Sequence, residues 1–165
     1  MAGICIEDTR LPCNAAYDRE LAIERIAAGA AAARALPNDF VLTARADGIM
    51  TGAYDVTEAI ARLQGFELVG ADCLYAPVPK TMDDMALICR SVTAPVNILV
   101  AGPTYTSQTL AHYAQMGAAR ISLGSSLART THKVIHDVAV DMFGCGDFSQ
   151  LGKSISGGKI DSYLK

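Results

Sequence analysis

The chain has 165 residues, 51% of them apolar, and a formal net charge of -3. This length suits one domain that buries roughly two thirds of its unfolded surface, and a mildly acidic chain without a basic block argues against nucleic acid and anionic membranes as partners. The sequence offers neither the run of about 18 apolar residues needed to span a bilayer nor a basic start and apolar core of signal-peptide type, so it reads as cytoplasmic.

Residues 3–6 (GICI) form a strand that runs directly into Glu7 and Asp8. A polar loop over 9–17 follows, holding Pro12, Cys13 and Asn14. Asp18 is placed to cap a long Ala-rich helix reaching about Leu36, which Pro37 and Asn38 terminate. Residues 40–44 are the second strand and deliver Arg45 and Asp47 to its carboxyl end, with Gly48 opening the next loop. Asp55 and Glu58 have capping-box spacing, and Val56, Ala59, Ile60, Leu63 and Phe66 follow the helical period. Gly70 closes that unit. Residues 71–76 are a third strand ending in Tyr75, and Pro77 and Pro79 confine the loop after it. Thr81 and Asp84 open a short helix that turns Met85, Ile88 and Cys89 inward.

The unbroken apolar run 96–101, interrupted only by Asn97, predicts a strand buried on both faces. After Gly102 and Pro103, a helix starting at Thr106 or Ser107 puts Leu110, Tyr113 and Ala114 on one face and stops at Gly117. Residues 120–123 form a fifth strand followed by Gly124, and a helix over 126–143 comes next. Residues 144–165 form a Gly- and Ser-rich tail with Ile155, Ile160 and Leu164 able to dock on a neighbour. Five strands, each followed by a helix and with no linker, predict a parallel α/β fold, either doubly wound or part of a (β/α)8 barrel, in a single domain spanning 1–165. The absence of GxGxxG lowers the first option, and a complete barrel normally takes about 250 residues and eight strands.

Parallel α/β folds bind ligands at the carboxyl ends of their strands, which is where the chemistry-bearing residues fall. Glu7 and Asp8 are an acidic pair able to hold a hard cation, or else to cap a helix or face solvent. Arg45 offers a planar fork to a carboxylate or phosphate, with an ion pair to Asp47 or Glu7 as the alternative. Asn97 and Ser122 are polar positions in apolar strands, open to ligand contacts or to local packing. His132 and His136 stand four apart on a helix face, but no Glu lies between them where a zinc protease needs one, so a solvated face is the better reading. The five cysteines include no CxxC pair and suit reduced thiols, with Cys5, Cys73 and Cys89 in the core and Cys13 set apart by its polar neighbours.

The segments GICIEDTRLP, FVLTARADG, DVTEAIARLQGFELVGADCLYAPVP, PVNILVAGP and GAARISLGSSLAR, in this order, resemble the isocitrate lyase and phosphoenolpyruvate mutase superfamily over nearly the whole chain. The resemblance implies a (β/α)8 barrel of which these segments match strands four to eight, making this chain a partial TIM barrel with a C-terminal helix and tail. It also implies a magnesium-stabilised, pyruvate-type enolate and a small carboxylate or phosphonate substrate, cleaved or rearranged at a C–C or C–P bond. Glu7 matches an acidic contributor to the metal site, and Arg45 matches the arginine that binds the substrate anion. Asn97 lies in a motif whose polar residues face the substrate, with Tyr75 and Ser122 as neighbouring substrate-binding candidates. Cys13, in the loop corresponding to the mobile lid, is a catalytic candidate beside Arg45, although it lacks the KKCGH-like motif in which relatives place a catalytic cysteine. The paired aspartates of the metal site have no counterpart here, so a noncatalytic fragment or interaction module is the alternative reading. Relatives exchange C-terminal helices between subunits, which implies a homo-oligomer with the 126–143 helix at the interface.

Overall fold

The computed structural model describes residues 2–13 and 15–164; Asn14, named above in the polar loop, lies outside them. The chain divides into two units, residues 1–124 and 125–165. The first is built on β1 (Ala2–Glu7), α1 (Arg19–Arg34), β4 (Phe40–Arg45), α3 (Val56–Leu68), β5 (Cys73–Tyr75), α4 (Met82–Ser91), β6 (Val96–Leu99) and β7 (Ala118–Ser122). A small hairpin, β2 (Thr9–Arg10) and β3 (Ala15–Ala16), and three short helices, α2 (Gly48–Thr51), α5 (Pro103–Thr106) and α6 (Leu110–Met116), complete it. The five main strands are all parallel and lie side by side in chain order, β1-β4-β5-β6-β7. This is the β/α repeat predicted from the sequence.

Alternation along each strand sorts the two faces of the sheet. Leu42 and Ala44 of β4, Leu74 of β5 and Val96 of β6 point one way and pack with Ile26 and Ala30 of α1, Leu63 and Phe66 of α3 and Ile88 of α4. Leu42, Leu63, Phe66, Leu74 and Ile88 are all fully buried, and each side chain of this size stabilises the fold by about 1.5–3 kcal/mol on burial. The buried residues of α1, Ala22, Ile26, Ala30 and Ala33, are spaced by three and four and are mostly small, so the helix lies close on the sheet. The other face is formed by Gly3 and Cys5 of β1, Val41 and Thr43 of β4, and Cys73 of β5. They line an open hollow of about 490 Å³ together with Arg120. Cys5 is therefore exposed, although its apolar neighbours predict a core thiol; Cys73 is buried and Cys89 half-buried. Those neighbours, Ile4 and Ile6, point to the opposite side of the strand from Cys5.

Several local features depart from the sequence reading. Thr9–Arg10 and Ala15–Ala16 pair as antiparallel strands, Thr9 opposite Ala16 and Arg10 opposite Ala15, where the sequence predicts a loop. Thr9 is buried and donates to Asp47 Oδ2 at 3.1 Å, which anchors the base of this hairpin. Asp18 starts α1 without a side-chain cap bond, whereas Thr81 and Asp84 form the complete capping box at α4. Asp55 caps α3 through the Glu58 N–H, but the Glu58 carboxylate turns instead to Arg19 and Arg62.

The single helix predicted between Gly102 and Gly117 is two. Pro103 starts a first turn, and Thr109, extended at φ -102° and ψ 160°, caps a second helix by accepting from the His112 N–H. Two tyrosines fix this break: Tyr105 donates to the Pro79 carbonyl at 2.8 Å and Tyr113 donates to the Tyr105 carbonyl at 2.5 Å. Leu110 accordingly faces outward at 74% exposure while Tyr113 is buried. Gly117 ends α6 at φ 97°, a left-handed cap that only glycine adopts without strain.

The second unit consists of α7 (Ser126–Cys145), a 3-10 turn (Ser149–Lys153) and α8 (Gly157–Ser162). Its Leu127, Val134, Ile135, Val140 and Phe143 are exposed, as are Ile155, Ile160 and Leu164. Among the described residues, no helix is long and apolar enough to cross a membrane.

Candidate active site

The strand register brings the sequence-predicted residues into one lateral row. Glu7 pairs with Arg45, Arg45 with Tyr75, and Tyr75 with Asn97. Paired residues on parallel strands project from the same face, so these four side chains share the open face at the carboxyl ends of β1, β4, β5 and β6. Ser122 joins the row through a hydrogen bond, its Oγ accepting from Asn97 Nδ2 at 3.0 Å.

Arg45 is the centre of this row. Its Nε donates to Asp47 Oδ1 at 2.5 Å, its Nη2 pairs with the same carboxylate, and its Nη1 stands 3.8 Å from Glu7 Oε2. Its guanidinium carbon lies 5.1 Å from the centroid of the Tyr75 ring, a cation–π arrangement. Partial burial works against the charge, but Asp47, Tyr75 and Glu7 outweigh it and hold the guanidinium above its usual range. Two of the five donors are thus committed to Asp47, and the Nη1 edge is held only loosely by Glu7. Burial raises the Tyr75 hydroxyl above its ordinary range, so it is a neutral donor at physiological pH.

Beneath the row lies a buried ionic cluster that the sequence reading did not assemble. Asp8 is 2% exposed, and its carboxylate accepts from the Asp47 N–H at 2.7 Å, the Tyr54 hydroxyl at 2.6 Å and Arg62 Nη1 at 3.0 Å. Its backbone N–H donates to the Arg45 carbonyl at 3.1 Å. Tyr54 reaches Asp8 only because Gly48 is a glycine, since a Cβ there would stand 2.2 Å from the Tyr54 ring. The acidic pair therefore splits into two roles: Asp8 is committed to structure, and Glu7 stays half-exposed beside Arg45. One sequence signal for the cluster existed. Arg62 interrupts the apolar stripe of α3 between Ala59 and Phe66, and a charge there needs a buried partner.

Cys13 stands apart from the row. It is exposed in the connection between β2 and β3, and its Sγ donates to the Arg10 carbonyl at 3.0 Å. Hydrogen bonds from the Ala15 backbone and from Arg10 lower its pKa. His132 and His136 belong to the second unit and lie on an exposed face of α7. Among the described residues, no group of three His, Cys, Asp or Glu side chains is arranged to hold a metal ion. Asp8 is saturated by three donors and Asp47 is engaged by Arg45 and Thr9, so Glu7 is left as a single carboxylate. These residues alone do not fit a magnesium site.

A sequence model of phosphoenolpyruvate phosphomutase matches residues 1–143. The chain belongs to this family. Within the wider isocitrate lyase and phosphoenolpyruvate mutase superfamily, it is 36% identical to a Burkholderia cenocepacia J2315 protein described as a lyase/mutase. Their structures superpose with a TM-score of 0.89, covering 98% of this chain and 58% of that one. The structure of phosphonopyruvate hydrolase complexed with oxalate and Mg++ is 23% identical and shares the fold, with a TM-score of 0.77 over 96% of this chain and 56% of that one. An uncharacterized protein of Mycobacterium tuberculosis H37Rv is 32% identical over 125 residues, 75% of this chain and 45% of the relative. The chain thus spans about half the length of the relatives it matches, and its five parallel units correspond to part of the family's barrel.

Proposed function

We propose that this phosphoenolpyruvate phosphomutase family chain supplies the anion-holding part of a lyase or phosphonomutase site. Its substrate is a small 2-oxo or hydroxy carboxylate, or a phosphonate analogue. The observation that carries this reading is the row Glu7, Arg45, Tyr75 and Asn97 on the open face at the strand ends. Arg45 binds and orients the substrate anion through its Nη1 edge, and Asp47 keeps the guanidinium plane fixed over Tyr75. Tyr75, Asn97 and Ser122 supply neutral hydrogen-bonding groups beside it, and preorganised donors of this kind favour charge developing in a transition state. Cys13, on the hairpin that starts at the end of β1, is assigned to the lid over this face.

Magnesium belongs to the proposal as a cofactor of the complete site, with Glu7 as this chain's contribution. Phosphonopyruvate hydrolase, solved with oxalate and Mg++, supports that assignment by its fold. Because the residues here do not form the metal site alone, anion binding is assigned to Arg45 without it. We also place the protein in the cytoplasm and assign it to a homo-oligomer joined through α7, whose exposed Leu127, Val134, Ile135 and Phe143 support a contact with a second copy.

Calorimetric titration with oxalate and with pyruvate tests the reading. Binding that disappears in Arg45→Ala supports it, and failure of both anions to bind the native chain removes it.

A further inference from the structure

Two successive residues at the end of β1 are buried, Asp8 at 2% and Thr9 at 4% exposure. A regular strand turns every second side chain to the other face, but here the chain bends at Asp8, between β1 and β2, and turns both residues inward. Both then grip Asp47, 39 and 38 positions away in the chain. Asp8 takes its backbone N–H at 2.7 Å, and the Thr9 hydroxyl donates to its Oδ2 at 3.1 Å. Threonine hydroxyls commonly satisfy themselves on nearby backbone, so a bond of this span in the chain is a tertiary tie.

The other carboxylate oxygen faces Arg45. Asp47 Oδ1 accepts from Arg45 Nε at 2.5 Å and pairs with Nη2. The last torsion of an aspartate is soft and broad, so a carboxylate held on one oxygen alone turns, and the guanidinium plane turns with it. Thr9 occupies the second oxygen. Being neutral, it fixes the plane of the carboxylate without competing with Arg45 for its charge.

We propose that Thr9 is a positioning residue of the anion site, acting through Asp47 to aim the Nη1 edge of Arg45. This rests on the reading of Arg45 as the anion holder and names the group that sets its direction. With Asp47 free to turn, Arg45 is ordered only when the anion arrives. With Thr9 in place that ordering is complete beforehand, and preorganising one long side chain changes affinity by about fivefold. The tie is also reciprocal. The segment that Thr9 opens is closed by the Tyr17 N–H, which donates to the Asp8 carbonyl at 2.8 Å. By linkage, an anion on Arg45 tightens this segment by the factor by which the segment tightens the anion.

The test is calorimetric titration of the native chain, Thr9→Val and Thr9→Ser with oxalate, combined with NMR of the Arg45 Nε–H and the Tyr17 amide. Thr9→Val keeps the shape and removes the donor, so oxalate binds about fivefold more weakly and the Arg45 Nε–H exchanges faster with water. Thr9→Ser keeps the hydroxyl and restores both, whereas a purely packing role would make it the worse of the two. In the native chain, oxalate slows exchange of the Tyr17 amide, a readout that needs no variant to fold. Native oxalate affinity in Thr9→Val, equal losses in Thr9→Val and Thr9→Ser, or a Tyr17 amide indifferent to oxalate overturns the proposal. If oxalate binding is lost in Arg45→Ala but unchanged in Thr9→Val, only this assignment falls. If the native chain binds no oxalate, the anion-site reading falls with it.

Discussion

The Asp8 carboxylate accepts the Asp47 backbone N–H at 2.7 Å and so ties the end of β1 to the residue that holds the Arg45 guanidinium. The same carboxylate neutralises Arg62, whose side chain is 6% exposed. Removing one member of such a pair leaves a buried charge without compensation, which costs about 3–5 kcal/mol. Urea denaturation of Asp8→Ala should show a loss of that size. Adding Arg62→Met to it should recover part of the stability, because the buried cation is gone. Full stability in Asp8→Ala would mean that the pair does not anchor these elements.

Arg45 and Asp47 should separate in their effects. Arg45→Ala is expected to abolish oxalate binding and also to lower the urea midpoint, because it leaves the 7%-exposed Asp47 carboxylate without its cation and with Thr9 as its remaining side-chain donor. Asp47→Asn keeps the buried volume but weakens the grip on the guanidinium, so oxalate should bind several-fold more weakly rather than not at all. An Asp47→Asn protein that binds oxalate as well as the native chain would show that Arg45 does not depend on Asp47 for its orientation.

Gly48 tests the close approach of Tyr54. A Cβ at this position meets the Tyr54 ring, so Gly48→Ala forces the ring away from Asp8. Overpacking of this kind typically costs about 1–3 kcal/mol, measured as a lower thermal midpoint. Tyr54→Leu in the Gly48→Ala background should show a smaller additional loss than Tyr54→Leu alone. Strict additivity of the two changes would count against the contact.

Acid stability depends on Glu58, whose carboxylate is held below the usual range by Arg19 first and Arg62 after it, against partial desolvation. A carboxylate with a depressed folded-state pKa contributes stability above its unfolded value, about 4.3, and loses it as pH falls through the folded value. Glu58→Gln should therefore be less stable than the native chain at pH 7. The gap should close as the pH drops below about 4, followed by denaturation at a series of pH values. A gap that stays constant across that range would assign the loss to packing instead.

How much of this was legible in the sequence depended on the range of the forces involved. The five strands were readable because buried parallel strands are apolar runs ended by Gly or Pro, a local signal. Arg45, Tyr75 and Asn97 were individually visible as polar or aromatic residues at strand ends, but their alignment in one row is a property of register between strands some 22 to 30 positions apart in the chain. Arg120 opens the segment 120–123 that predicts a strand, and the register shift between Val96 and Asn97 that sets it opposite Asn97 leaves no mark in composition. The break between α5 and α6 was missed for a similar reason: Tyr105 and Tyr113 find their acceptors through tertiary contacts, and Leu110 then follows outward.

Strand order and chain order coincide in this sheet, so each new strand adds to the outer side of the one before it. Every pairing joins strands that are consecutive in the sheet and separated by one crossover, which keeps loop-closure entropy modest and lets structure grow as the polypeptide emerges from the ribosome. Within this sheet β1 and β7 each have one neighbour, while β4, β5 and β6 have two. Amide exchange should consequently be slowest in the middle three and fastest along the margins, making the sheet a ratchet that tightens from its centre.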